Sequence, residues 1–210
     1  MKNLLLLFTL FSVGFIGCKQ ANETKEAIKL GSEMQKMGEE MEKGLKEGQD
    51  KMAARRAKGD TLPMHYDKLK EYLPKAVKDY TPEGDPKGQS MTMQNYSFST
   101  TEQKYKAPDG SELSIVLHDY NGLPELYGMA TMMLKSKMSF ENDEQSVKSL
   151  NLGIDGVGAM ETFGKKSNEA QLVIGAGERF FITMTAQKQK DTELLKTAAK
   201  AMPLKEMTEM

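Results

Sequence analysis

The pattern of hydrophobic and polar positions divides the 210-residue chain into three regions. The first is a continuous apolar run from Leu4 to Ile16, preceded by one positive side chain at Lys2. The second, residues 19–60, is densely charged and contains no aromatic residue. The third, residues 61–210, alternates short apolar stretches with turn-forming residues, which is typical of a folded domain.

Apolar positions spaced by three and four residues predict helices at three places in residues 61–210. Pro74 ends the first helix, Pro124 stands in the first turn of the second, and Asp191 caps the third. The second helix is apolar over a wide arc, and we expect it to be well buried. The apolar positions are Tyr66, Leu69, Tyr72 and Leu73 in the first helix, Leu126, Tyr127, Met129, Ala130, Met133 and Leu134 in the second, and Leu194, Leu195, Ala198, Ala199 and Met202 in the third.

Alternating apolar and polar positions predict strands in the same region. The alternation shifts its register once within 91–98, and turn residues at 108–110 and 175–178 predict two hairpins. The expected strands are 91–98, 113–117, 150–154, 159–163, 171–174 and 179–185. This order predicts an α+β fold, with an antiparallel sheet of about 5–6 strands and helices packed on one face.

The charged region carries a weaker helical pattern. Its methionine stripe keeps the spacing of a helix, but glycines interrupt it, and each costs up to about 1 kcal/mol relative to alanine. We therefore predict a polar helical tether, and the alternative is a helix that pairs with a partner through the stripe. The stripe is Met34, Met37, Met41 and Leu45, and the glycines are Gly31, Gly38, Gly44 and Gly48.

Composition narrows the classes of function. Basic and acidic residues number 29 and 30, so no positive field attracts nucleic acid. Tryptophan is absent and aromatic residues are few, which argues against a platform that stacks sugars or bases. The chain has one cysteine, Cys18, and therefore no internal disulfide.

The apolar run is shorter than the roughly 20 residues of a membrane-spanning helix and fits the hydrophobic region of a signal peptide. It ends at Phe15-Ile16-Gly17-Cys18, which resembles the lipobox of bacterial lipoproteins. The resemblance implies that Cys18 carries fatty acyl chains such as palmitate, and Lys19 after it implies the outer membrane. The predicted segments are a signal peptide at 1–17, a lipid-anchored charged helical tether at 18–60 and an α+β globular domain at 61–210.

The globular region also carries a series of short motifs in a fixed order. They are Leu73-Pro74, Tyr96-Ser97-Phe98, Tyr105, Ile115 to Asp119, Gly156 and Arg179-Phe180. Together they resemble an uncharacterised family of exported bacterial α+β proteins, which implies the domain boundary and no functional site. In outline the arrangement is also similar to PsbP-like and Mog1-like domains, and that likeness implies binding of partners in place of catalysis.

Few residues suggest chemistry. His65 and His118 have no clustered metal ligands beside them, and we expect His118 to be a half-buried sheet residue. The glycines at 153–158 and 175–177 lack the context of a dinucleotide-binding loop and are interpreted as turns. Apart from the lipidation site at Cys18, no catalytic, cofactor-binding or metal-binding residue is predicted.

The leading hypothesis is a non-enzymatic, lipid-anchored envelope protein that binds an envelope partner, with no cofactor and no nucleic acid. One alternative is a copper-handling protein, because the chain has 17 methionines with thioether spacings that suit Cu(I). A second alternative is an acid/base enzyme that uses carboxylates such as Asp119 or Glu161. The methionine groups are Met34, Met37 and Met41; Met91 and Met93; and Met129, Met132 and Met133.

Overall fold

A computed structural model describes residues 35, 38–39, 42–43, 46–94, 96–135 and 138–210. The predicted signal peptide and Cys18 lie outside the described residues. Contacts divide the chain into one unit that ends at Glu39 and a second that runs from Glu40 to Met210. The sheet and its helices belong to the second unit.

Within the described residues, nine strands form one antiparallel sheet. The strands are Thr81–Pro82 (β1), Lys87–Met93 (β2), Tyr96–Lys106 (β3), Glu112–Gly122 (β4), Ser139–Glu141 (β5), Gln145–Leu150 (β6), Val157–Gly164 (β7), Glu169–Ala176 (β8) and Phe180–Ala186 (β9). Their order is β1-β3-β4-β9-β8-β7-β6-β5, and β2 pairs with β3. The antiparallel α+β class is therefore confirmed, together with the hairpins β3–β4 and β8–β9.

The prediction of about 5–6 strands is too low. β1 and β5 have two and three residues, which is too short for an alternating pattern to be visible. Residues 91–98, predicted as one strand with a register shift, belong to the two strands β2 and β3. The chain reverses between them at a turn where Gln94 has a φ of 55°.

Helices stand at the start, in the middle and at the end of the described chain. The first, α1, covers residues 46–57. The others are Tyr66–Leu69 (α2), Pro124–Thr131 (α3), Glu193–Lys200 (α4) and Leu204–Thr208 (α5), and 3₁₀ turns at Lys70–Tyr72 and Met132–Lys135 extend α2 and α3. Asp191 lies next to the start of α4, where its carboxylate accepts a hydrogen bond from Glu193 N at 2.9 Å.

The main core lies on one face of the sheet. Leu117, Ile182 and Ile174 lie side by side on β4, β9 and β8 and are fully buried. Leu195 of α4 and Leu204 of α5 belong to the same buried cluster. Each such side chain stabilises the fold by about 1.5–3 kcal/mol when it leaves water.

The α3 segment lies on the opposite face. Gly175 points away from the core side of Ile174, because successive strand residues alternate between faces. A Cβ added at Gly175 would lie 2.8 Å from Thr131 Cγ2 and 2.9 Å from Tyr127 Oη. Glycine therefore lets α3 approach this strand closely, and the prediction that the helices pack on one face is not confirmed.

The prediction that this middle helix is well buried is also wrong. Tyr127 and Thr131 are buried against the sheet, but Met129 is 74% exposed. Met132 and Met133 are also exposed. Only one narrow side of α3 contacts the sheet. The width of the apolar arc in the sequence therefore overestimates how much of this helix is buried.

The C-terminal part of the predicted tether packs with the sheet. Residues 46–60 belong to the unit that begins at Glu40, whereas the sequence predicted a boundary at residue 61. Arg55 of α1 is buried, and Asp60 forms an ion pair with Arg179 at 3.1 Å. These contacts attach α1 to the turn between β8 and β9.

Candidate functional site

A pocket of about 430 Å³ lies where α1, the α3 segment and two turns of the sheet meet. One turn precedes β7 at 153–156, and the other joins β8 to β9 at 177–179. This volume falls within the roughly 300–1,000 Å³ that is usual for small-molecule sites. We therefore take this concavity, called the pocket below, as the candidate site.

The floor of the pocket is apolar with two hydroxyl groups. Gly158 and Gly175 are paired across β7 and β8, and Tyr127, Thr131 and Leu134 cover them. The Thr131 hydroxyl donates a hydrogen bond to the Tyr127 carbonyl at 2.8 Å. Burial raises the pKa of the Tyr127 phenol, so this group is a neutral hydroxyl at ordinary pH.

The rim of the pocket is charged. Glu47 and Lys51 come from α1, Asp155 from the turn before β7, and Glu178 from the turn between β8 and β9. Three carboxylates and one ammonium give this lining a formal charge of −2. The rim can therefore attract a cationic group electrostatically.

Glu178 has an unusual backbone conformation. Its φ is 54°, next to Gly177 with a φ of 63°, and a side chain in this region is strained. Consecutive left-handed residues in a hairpin turn favour glycine, asparagine or aspartate. A Cβ added at Gly48 would lie 2.6 Å from Glu178 Oε2, so the glycine in α1 leaves room for this carboxylate.

Arg55 fixes the wall formed by α1. Its guanidinium donates to the carbonyl of Gly177 at 2.8 Å and to that of Glu178 at 2.9 Å. Burial, and secondly the nearby Arg179, lower the pKa of Arg55. Its Nε is buried with no hydrogen-bond partner among the described residues. The side chain therefore pins α1 to the same turn that carries Glu178.

A second group of polar side chains lies beside this turn. It consists of Asp60, Asp119, Asn121 and Arg179 and is called the buried charge cluster. Arg179 Nη2 and Asp119 Oδ2 are 2.7 Å apart, and Arg179 Nε donates to both oxygens of Asp119 at 2.9 and 3.0 Å. Asn121 Nδ2 donates to Asp60 Oδ1 at 2.7 Å. Asp119 is fully buried, three residues before the end of β4.

The buried charge cluster joins distant parts of the chain. Asp119 Oδ2 also accepts a hydrogen bond from Met64 N at 2.7 Å, and Asp119 Oδ1 accepts one from Asn121 N at 2.9 Å. Both oxygens are thus occupied by protein donors. The cluster holds the segment after α1 against the sheet, which is a structural role.

The two carboxylates proposed for acid/base chemistry lie apart. Asp119 is on β4 and Glu161 is on β7, with β9 and β8 between them in the sheet. Glu161 Oε2 accepts from the Thr192 hydroxyl at 2.5 Å and pairs with Lys196 at 3.0 Å. The structure does not bring these groups together, so they give the enzyme alternative no support.

The histidines are also separate. His65 caps α2, where Nδ1 accepts from Asp67 N at 3.4 Å. His118 is half-buried on β4 and stacks on Tyr120 at 5.4 Å between ring centroids, with Phe181 at 6.1 Å. Burial lowers the pKa of His118, and its Nδ1 has no hydrogen-bond partner among the described residues.

The methionine groups are placed unevenly. Met91 and Met93 are exposed on β2, and Met129, Met132 and Met133 are exposed on the α3 segment. Met34, Met37 and Met41 lie outside the described residues. Packing in the core therefore does not account for the described groups, and the copper alternative stays a prediction.

Within the described residues, no three histidine, cysteine or acidic side chains converge to hold a metal ion. No helix in the described part of the chain is both long enough and apolar enough to cross a membrane.

Comparison with known proteins gives no relative. No protein-family model, no curated protein and no solved structure matches the chain.

Sequence reasoning missed the pocket and its main charged residues. Residues 175–178 were predicted to form the turn, whereas the turn covers 177–179 and residues 175 and 176 belong to β8. The side chain of Glu178 was given no role. The available signal was the placement of glutamate directly after Gly177 in a tight turn, where glycine or asparagine is usual. Arg55 had no comparable signal, because it resembles any other charge of the tether.

Proposed function

We propose that this chain is a lipid-anchored, non-enzymatic binding protein of the bacterial cell envelope, and that the pocket is its binding site. The observation that carries the proposal is the pocket itself. It combines an apolar floor at Tyr127 and Leu134 with a charged rim. Small-molecule sites typically combine such a floor with a few polar groups that fix orientation.

The lining supports binding in place of catalysis. The described residues that line the pocket include no histidine and no cysteine. Glu178 and Lys51 are charged groups that can orient a ligand. A catalytic centre needs convergent groups with matched pKa values.

The envelope location is supported by the sequence of the leader. The apolar run, Gly17 and Cys18 follow the pattern of a lipoprotein precursor. Two or three acyl chains on Cys18 would hold the protein on a membrane, since each buried methylene contributes about 0.8 kcal/mol.

The binding site can be tested by filling the pocket. Lys51 is exposed at its mouth, so Lys51→Trp places a large side chain there. Ala54→Trp puts the same side chain on an exposed position of α1 outside the lining and serves as the matched control. The measurement is the thermal stabilisation of the full chain by a small-molecule extract of the envelope.

Stabilisation that is retained in Ala54→Trp and lost in Lys51→Trp would support the pocket as the site. Stabilisation that is equal in both variants would place binding elsewhere. Absence of any stabilisation of the unsubstituted chain would contradict the proposal.

The anchor needs a separate experiment. Cells that express the chain are grown with a palmitate analogue, and the labelled protein is followed in membrane fractions. We expect label on the unsubstituted chain and none on Cys18→Ser, which should leave the membrane fraction. A Cys18→Ser protein that stays in the membrane would refute the lipid anchor.

Cu(I) handling is a second candidate because the thioethers of Met129, Met132 and Met133 are exposed on one short segment. Titration of the full chain with Cu(I) would shift the methyl NMR signals of these residues. The methyl signal of Met184, which is fully buried on β9, is the internal control and should not shift. No shift at micromolar Cu(I) would remove this candidate.

A further inference from the structure

We propose that the chain forms a two-fold symmetric dimer in which β2 pairs antiparallel with β2 of a second copy, around Ser90. This surface lies away from the pocket, because β3, β4 and β9 separate β2 from β8 in the sheet. The open edge of β2, its lack of charge and the apolar side chains beside it each favour this pairing.

β2 is an open edge of the sheet. Among the described residues it pairs with β3 alone, over seven residues and without a shift of register. Backbone N–H and C=O groups along an edge strand are available to pair with another strand, and proteins usually protect such edges with prolines, charges, bulges or very short strands. Residues 88–93 of β2 contain no proline, no charge and no bulge.

The other edge strands that the structure describes are protected. β1, which pairs with the same strand β3, has only two residues, and one of them is Pro82. β5, at the far end of the sheet, has three residues and ends at Glu141, which forms an ion pair with Lys165 at 2.7 Å. The contrast indicates that the fold leaves the β2 edge available for pairing.

The hairpin formed by β2 and β3 presents an uncharged apolar face beside this edge. Residues 88–101 contain no acidic or basic side chain, although 28% of the chain is charged. Met91 and Met93 lie directly opposite Phe98 and Tyr96, so the four side chains share one face. Met91, Met93 and Tyr96 are 44%, 65% and 56% exposed. An exposed apolar surface of this kind marks an interaction site.

The backbone of β2 favours a strand over a lipid surface as the occupant. A hairpin that entered a bilayer would carry the unpaired N–H and C=O groups of its edge into hydrocarbon, where nothing satisfies them. A second strand pairs with these groups and covers the apolar face at the same time.

β2 is complementary to itself. Pairing around Ser90 places Met91 opposite Gln89 of the second copy. Met93 then lies opposite Lys87, and no two like charges meet. The two Lys87 positions would be about 20 Å apart along the strands, beyond the screening length of about 8–10 Å. Both copies use the same strand, so the assembly closes as a dimer.

The first test is the oligomeric state of the full chain, measured by sedimentation equilibrium in a density-matched neutral detergent. We expect a concentration-dependent dimer. Met91→Lys places a charge in the interface and should weaken the dimer about tenfold or more. Phe140→Lys makes the same change on β5, where Phe140 is 43% exposed, and is the matched control that should change nothing.

Disulfide formation tests the register of the pairing. Residues directly opposite in an antiparallel pair have Cα atoms about 4.5–5.5 Å apart, which a disulfide can bridge. Ser90→Cys should therefore give a covalent dimer under mild oxidation. Thr92→Cys on the same strand is the control, because its two copies would lie about 14 Å apart and should not link. The unsubstituted chain shows any link through Cys18.

A chain that is monomeric at every concentration would overturn the proposal. Larger assemblies, a dimer that Met91→Lys leaves intact, or equal linking of Ser90→Cys and Thr92→Cys would overturn it as well. Monomers in which NMR shows the Met91 and Met93 methyl groups in contact with detergent chains would assign this face to a lipid surface instead.

Discussion

The pocket and the buried charge cluster meet at one turn, and their charged side chains have different surroundings. Glu178 and Arg179 are adjacent in the chain, but Glu178 lines the pocket and Arg179 enters the cluster. Arg179 is buried and bound by Asp119 and Asp60. Glu178 is half-buried at the wall of a cavity.

The difference separates charges that hold the fold from charges that can bind a ligand. A buried charge is tolerated only when protein groups pair with it, and the Asp119 oxygens are fully occupied in this way. A carboxylate at the wall of a cavity lies where a ligand can reach it. We therefore expect substitutions in the cluster to change stability and substitutions in the pocket to change binding.

The largest effect is expected from breaking the cluster. Asp119→Ala leaves the Arg179 guanidinium buried beside an empty position, and this should lower the free energy of unfolding by about 3–5 kcal/mol. Urea unfolding followed by circular dichroism measures the change. A loss below about 1 kcal/mol would contradict the structural role given to this pair.

The double variant Asp119→Leu with Arg179→Met is the control for that result. It removes both charges and fills the space with apolar atoms, so it should be more stable than Asp119→Ala alone. Equal losses in the two proteins would show that packing, and not the unpaired charge, causes the effect.

A smaller effect is expected at the link between the two regions. Arg55→Met keeps the apolar stem but removes two hydrogen bonds to the carbonyls of Gly177 and Glu178. The expected loss of stability is about 1.5–3 kcal/mol. Hydrogen exchange should quicken in residues 46–57 and stay slow in β4 and β9. Uniform acceleration across the sheet would contradict a local role for Arg55.

His118 tests a third kind of polar group, a half-buried imidazole whose Nδ1 has no hydrogen-bond partner among the described residues. Burial lowers its pKa in the folded protein, so the unfolded chain binds the proton first as the pH falls. The contribution to stability is therefore present above about pH 6.5 and is lost as the pH falls from there towards the folded pKa. Its cross-strand neighbours, Thr100 and Phe181, carry no charge. Urea unfolding at a series of pH values should show this slope, and His118→Gln should reduce it.

The elements that were predicted correctly from the sequence are those with a clear local pattern of apolar and turn residues. The strict alternation at Leu113, Ile115 and Leu117 and the turn Pro108-Asp109-Gly110 predicted β4 and its hairpin correctly. The short edge strands β1 and β5 had no such pattern. The exposed side of α3 was missed because apolar methionines there looked like core residues.

The candidate site could not be predicted in the same way, because its residues are far apart in the chain. Glu47, Tyr127, Gly158 and Glu178 come from four different elements. The pairing of Asp119 with Arg179 also depends on the register of β4 with β9, which no local pattern specifies. Only Glu178 had a signal in the sequence, because a glutamate directly after Gly177 is unusual in a tight turn.

The smallest effect on stability, and the most informative one, is expected from Glu178→Gly. Glycine adopts the left-handed conformation without strain, and Arg55 bonds to the backbone carbonyl of residue 178, which the substitution keeps. Relief of this strain should raise the free energy of unfolding by up to about 1 kcal/mol. Lys78→Gly, at another turn with a φ of 54°, is the matched control for relief of strain alone.

Relief of strain should help both variants resist urea, but only Glu178→Gly should lose its stabilisation by the envelope extract. This combination would show that the fold tolerates local strain in order to keep a carboxylate in the pocket. Clear destabilisation by Glu178→Gly, with Lys78→Gly neutral, would assign the Glu178 side chain to the fold. The contrast between the pocket and the buried charge cluster would then no longer hold.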